Sequence, residues 1–254
     1  MIDAAGIVMV AGAALVGGAV NAVAGGGSLI TFPTLVAVGL PGVAASATNT
    51  IALCPGYLGA AFAQRRDLAG QGKRVGTYGV VATLGGAAGA LLLLRSGEKT
   101  FEAIVPFLIL LAVALLAFQG KIRTYLFGRV ASHHTEALAA LPVGLASIYG
   151  GYFGAGMGVM ILAALGVVLA DNLLRINALK QTISLFTNVA AAVVLAIWGP
   201  IDWTIVLVMA VASLLGGALG GAVASRIPAA ALRWTIVVLG TALSAVYFAK
   251  LLRG

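Results

Sequence analysis

Two apolar runs in this chain, Ala4–Leu40 and Ala137–Ala170, are too long for one simple membrane helix and too short for two comfortable ones. A single span needs about 20 residues. Both runs are interrupted, the first by Gly25-Gly26-Gly27-Ser28 and the second by Gly154-Ala155-Gly156-Met157-Gly158. Each glycine weakens a helix by roughly 1 kcal/mol relative to alanine, so each run is expected to bend back or unwind at its cluster. Irregular backbone at membrane depth is tolerated only where protein or a water-filled cavity satisfies its polar groups. Paired breaks in corresponding halves therefore point to a site for something that crosses the membrane. Helix packing alone is the competing explanation for the glycines.

The rest of the chain has the same character. Hydrophobic residues make up 61% and charged residues 9%, against about a quarter charged in soluble domains. Further apolar runs cover Val43–Ala63, Val75–Leu94, Phe101–Phe118, Leu173–Trp198, Trp203–Ala224 and Leu232–Leu252. They are apolar all round, not alternating as in a membrane β-barrel. The fold class expected is an all-α polytopic membrane protein with about eight hydrophobic segments. The first Lys or Arg is Arg65, so the positive n-region of a cleaved signal peptide is missing and a membrane-embedded N-terminus is expected.

A formal charge of +8 raises nucleic acid as a partner, but the basic residues lie in short connections and not in a soluble module. Arg65, Arg66, Lys73 and Arg74 fill one connection, and Lys121, Arg123 and Arg129 fill another two spans later. The positive-inside rule puts both in the cytoplasm. His133 and His134 share the second connection without a nearby Cys, which reads as a solvated loop before a metal site. Cys54 is alone, so the chain has no internal disulfide. No cofactor or metal is expected.

The two halves repeat each other. Thr48-Asn49-Thr50-Ile51-Ala52-Leu53 parallels Lys180-Gln181-Thr182-Ile183-Ser184-Leu185 at an offset of 132, and Leu84–Ala90 parallels Leu215–Gly221 at 131 with five of seven residues identical. This divides the chain into a first membrane repeat at 1–120, a basic connecting loop at 121–136 and a second repeat at 137–254. The basic connection Gln64–Arg74 corresponds to Gly199-Pro200-Ile201-Asp202, which has no basic residue. Opposite sides for those two loops mean inverted repeats, which follow if each long first run is re-entrant. If each crosses once, the repeats are parallel. Gly85 and Gly89, like Gly216 and Gly220, read as helix-packing faces.

Within Leu173–Trp198 the polar residues Asn177, Lys180, Gln181, Ser184, Thr187 and Asn188 share one helical face. The first half offers Ser46, Thr48, Asn49 and Thr50, with Tyr57 about two turns on. Hydroxyls, amides and one ammonium form a donor-rich lining that suits an anion, as do the free amides at broken-helix N-termini. Lys180 stands out because an ionisable group inside a membrane segment is costly and functional by default; a snorkelling headgroup anchor is the alternative. Arg175, nearer the segment's end, reads as an interface anchor. The candidate substrate-binding residues are Gly25, Gly26, Gly27, Ser28, Thr48, Asn49, Gly154, Gly156, Gly158, Asn177, Lys180 and Gln181. No His lies within an apolar run, Asp3, Asp67, Asp171 and Asp202 sit at segment edges, and no phosphate-binding loop occurs, so no enzyme is expected. An anion channel and a non-transporting scaffold are the alternatives to a transporter.

Ala24-Gly-Gly-Gly-Ser-Leu-Ile-Thr-Phe-Pro33, Gly150-Gly-Tyr-Phe-Gly-Ala-Gly156 and Asn177-Ala-Leu-Lys-Gln181 together resemble the sulfite exporter TauE/SafE family over nearly the whole chain. The resemblance implies a bacterial inner-membrane protein of two homologous halves that exports sulfite, sulfoacetate or a related sulfur-containing anion. The second copy reads Gly154-Ala-Gly-Met-Gly158 where the family has a fuller glycine run, so equal contact of both halves with substrate does not follow.

Overall fold

A computed structural model describes residues 2–23, 25–127, 136–169 and 171–223, together with 234, 237–238, 240–242 and 244–249. Arg129, His133 and His134, Ala24 of the first glycine motif, and part of the run Leu232–Leu252 lie outside the described residues. Among the described residues the chain is helical, with no strand. The long helices are α1 (Ala4–Val23), α3 (Gly42–Ala63), α4 (Gly72–Phe127), α7 (Leu173–Trp198) and α8 (Trp203–Val223), and the short ones are α2 (Ser28–Ala37), α5 (Ala140–Tyr152) and α6 (Met157–Val168). All the long ones except α3 are apolar enough to cross a membrane.

Both over-long apolar runs break at their glycines. After α1 the chain turns through residues 25–27 and α2 folds back along it, with Gly17 facing Thr31 and Gly6 facing Val38. After α5 it turns through Phe153–Gly156, and α6 returns to pack on the short 3-10 turn Glu136–Ala139 that precedes α5. Each long run is thus a helical hairpin. Gly25 and Gly154 have φ of +83° and +81°, values that L side chains adopt only with strain.

Helix α4 is two arms. Gly97, at φ 70° and ψ 169°, breaks it. The second arm starts beside Gly42 through Glu98 and Phe101 and reaches Gly26 by Leu116, so it doubles back. The Glu98 carboxylate accepts from the free amides of Gly42 and Val43 at the start of α3, capping the positive end of that helix.

Helices α3 and α7 run antiparallel. Asn177 Nδ2 donates to Gln64 Oε1 at 2.7 Å at one end, Tyr57 lies beside Asn188, and the Asp202 amide donates to Thr48 Oγ1 at 3.3 Å at the other end. The glycine ridges interlock the halves reciprocally. On α8, Gly216 and Gly220 pack on Leu15 and Ala19 of α1, and Gly217 packs on Gly56 of α3; on α4, Gly85 and Gly89 pack on Ser147 and Ile148 of α5, and Gly86 packs on Thr187 of α7. Absent side chains let backbones approach closely where no hydrophobic force drives helices together.

Charge separates the bundle's two ends. At the end holding Arg65 and Arg66, Asp171 accepts from Arg74 at 2.8 Å and pairs with Arg175 at 2.9 Å, while Arg175 Nη1 also donates to Ala69 O at 3.0 Å. The loop between α3 and α4 is thereby tied to the start of α7. Arg175, expected as an interface anchor, bonds here to Asp171 and to the Ala69 carbonyl.

Candidate functional site

The tips of the two hairpins meet in the interior. A Cβ on Gly25 would stand 3.0 Å from Gly158 Cα, and one on Gly158 would stand 3.0 Å from Gly25 Cα, so only glycine lets these backbones touch. Helices α2 and α6 both begin at the tips, which brings two positive dipole ends to one place. The amides of Ser28 and Gly158 find no backbone acceptor among the described residues. Such amides make an anion site.

Lys180 projects into this junction. Its side chain is 2% exposed, and its Cδ comes within 3.7 Å of where a Cβ on Gly158 would sit. A headgroup anchor has to reach the surface, and this side chain turns inward. Among the described residues no carboxylate pairs with it; Asp171 is taken by Arg74 and Arg175.

The neighbouring Gln181 clamps the halves together. Its Nε2 donates to Asn21 O at 3.2 Å and to Ala22 O at 2.8 Å, the carbonyls left free at the end of α1. Asn21 Oδ1 in turn accepts from Gly27 N at 2.7 Å and shapes the turn. From α3, Asn49 Nδ2 donates to Ser28 Oγ at 3.3 Å. Asn49 Oδ1, Gln181 Oε1 and Ser184 Oγ are buried without a hydrogen-bond partner, which leaves polar capacity at the junction for a ligand or water.

Of the residues expected to bind substrate, Gly25, Gly27, Ser28, Asn49, Gly154, Gly158, Lys180 and Gln181 lie at or beside the tips. Gly26 and Gly156 face Leu116 and Ala112 on the second arm of α4. Thr48 and Asn177 sit apart, at opposite ends of the α3–α7 seam. Asn21 was not foreseen. Its signal in the sequence is a single amide in an apolar run just before the glycines. Toward the Glu98 end the junction is closed by Phe32, Phe101 and Phe153, whose rings pack edge-on or tilted at 5.2–6.3 Å. A cavity of about 240 Å³ lies beyond them, lined by Phe32, Pro41, Phe101, Glu102 and Tyr247 among others.

Residues 10–247 match the family model described as Sulfite exporter TauE/SafE. The chain belongs to the sulfite exporter TauE/SafE family. Relatives of this TauE/SafE protein include a "Probable membrane transporter protein" of Haemophilus influenzae, 30% identical over 79% of this chain and 78% of the relative. "Probable membrane transporter protein YfcA" of Escherichia coli K12 is 25% identical over 91% and 86%, and "Probable membrane transporter protein ORF9" of a Sinorhizobium is 28% identical over 91% and 88%. No solved structure matches the chain. The TauE/SafE protein is a multi-pass membrane transporter of the helical type found in the bacterial inner membrane.

Proposed function

We propose that this transporter exports a small anion, with sulfite, sulfoacetate and related sulfonates or sulfur oxyanions as the substrate class. The observation that carries this is the convergence of Lys180 with two half-helix N-termini at one buried point. Unwound segments whose positive ends face an anionic group are a recurring transporter device. The family name supplies the sulfur class.

The two halves act as inverted repeats. Antiparallel α3 and α7, which occupy corresponding places in the halves, support this, as does the reciprocal packing of the two glycine ridges. On this reading the hairpins enter from opposite sides, the end with Arg65–Arg74 is cytoplasmic, and Asp202 is outside. A carrier fits better than a channel because Lys180 is closed off from both ends.

The test is flux in proteoliposomes loaded in turn with sulfite, sulfoacetate, methanesulfonate, sulfate and acetate. Protein-dependent, saturable movement of the sulfur anions is the expected outcome. Equal flux with and without protein for every anion would remove the proposal.

A further inference from the structure

We infer that Lys180 carries a proton together with the anion, so that a monoanion crosses with one proton as a neutral pair. The inference rests on the anion-transport reading and adds its coupling, under which export is driven by the anion's own outward concentration gradient and not by a proton gradient that is alkaline inside.

The geometry presents a charge problem. Lys180 is 2% exposed and has no hydrogen bond or ion pair among the described residues, and the nearby Gln181 and Asn49 amides are engaged elsewhere through their donors. The elements packed on α7 bring few ionisable groups toward it. Helix α3 contributes Cys54 and Tyr57, the first arm of α4 contributes Tyr78, α5 contributes Tyr149 and Tyr152, and α1, α2 and α6 contribute none. Lys73, Arg74, Arg65, Arg66, Asp67 and Asp171 stay at the bundle end, and Glu98 and Glu102 are toward the opposite end.

Among the described residues no fixed anion therefore balances an ammonium at this position. A buried, unpaired ammonium is far costlier than a neutral amine, and such a group gives up its proton or acquires a counter-ion. With substrate absent the amine is neutral; with substrate present the ammonium pairs with it. Loading at one face is Lys–NH2 + H+ + A− → Lys–NH3+···A−, with water delivering the proton. Release at the other face is the reverse. Only an N–H bond forms and breaks.

The consequence is read in gradients. Methanesulfonate serves as the probe because it stays singly charged throughout the working pH range. For a neutral pair, one pH unit across the vesicle gathers the anion about tenfold on the alkaline side, and a valinomycin potassium potential changes nothing. Lys180→Arg separates the steps, since a guanidinium does not release its proton. In that variant net methanesulfonate flux falls by about tenfold or more and no longer responds to the pH gradient, while a wild-type elution profile and melting temperature show that it is folded.

Accumulation that follows the potential and ignores pH would overturn the coupling and leave anion transport standing. Net flux through Lys180→Arg at the wild-type rate would overturn it too. Absence of flux for every anion of the panel would remove the transport reading, and the coupling with it.

Discussion

Lys180 and Asp171 show how much a single position depends on what surrounds it. Both are ionisable groups near the start of α7. Asp171 has two arginines, and although partial burial works against it, hydrogen bonds from Arg175 and Arg74 hold its carboxyl below the usual carboxylate range. A depressed folded value stabilises the protein above the unfolded value of about 3.9, and that contribution is lost as pH falls through the folded value. Asp171→Asn should therefore destabilise the protein in detergent by about 1 kcal/mol at neutral pH, with the gap to wild type closing in acid. A gap of the same size at every pH would show that the charge is irrelevant. Lys180 has no such partner among the described residues. Lys180→Met should weaken anion binding by about 1.5–3 kcal/mol, the worth of a hydrogen bond to a charged group, as read by calorimetric titration. Wild-type affinity in that variant would remove Lys180 from the site.

Among the elements, the glycine ridges and the hairpin tips use the same residue for different ends. On α4 and α8 the missing side chain permits dense packing between halves. A Cβ on Gly217 would press on the Gly56 carbonyl, and one on Gly86 on the Thr187 carbonyl. Backbone cannot rotate away as a side chain can. Gly217→Val or Gly86→Val should cost about 1–3 kcal/mol through overpacking, measured as a lower melting temperature of the purified protein. Gly76→Ala serves as the control, since a Cβ there meets nothing within 4 Å; it should leave stability unchanged or raise it by up to about 1 kcal/mol. Equal losses at Gly76 and Gly217 would contradict the ridge.

For the molecule as a whole, the arrangement of charge and the antiparallel α3–α7 seam lead to a topology that can be measured. A cysteine placed at Gly70 should react with an impermeant thiol reagent only from the cytoplasmic side, and one at Asp202 only from outside, both in a Cys54→Ser background. Labelling of both from the same side would mean parallel halves. On the proposed inverted arrangement, hairpins that enter from opposite faces and touch at Gly25 and Gly158 would let one half rock on the other about a fixed site.

The all-helical membrane class and the breaks at both glycine clusters were legible in the sequence because each follows from local properties. Hydropathy over about 20 residues defines a span, and glycine weakens a helix wherever it occurs. Lys180 and Gln181 stood out for a similar reason, as polar residues in an apolar run. The sequence did not reveal which of the polar stripe's members share a site. Thr48 adjoins Asn49 and Asn177 lies within a turn of Lys180, yet Thr48 turns to the Asp202 amide and Asn177 to Gln64, while Asn49 meets Ser28. Asn21 became legible only once Gln181, some 160 residues away, was seen to hold the carbonyls beside it. Lys180 could equally have reached the headgroups; the contact between two hairpin tips from different halves directed it inward. Periodicity and composition are properties of neighbours along the chain, whereas a site between two halves is made of residues that meet only after both have packed.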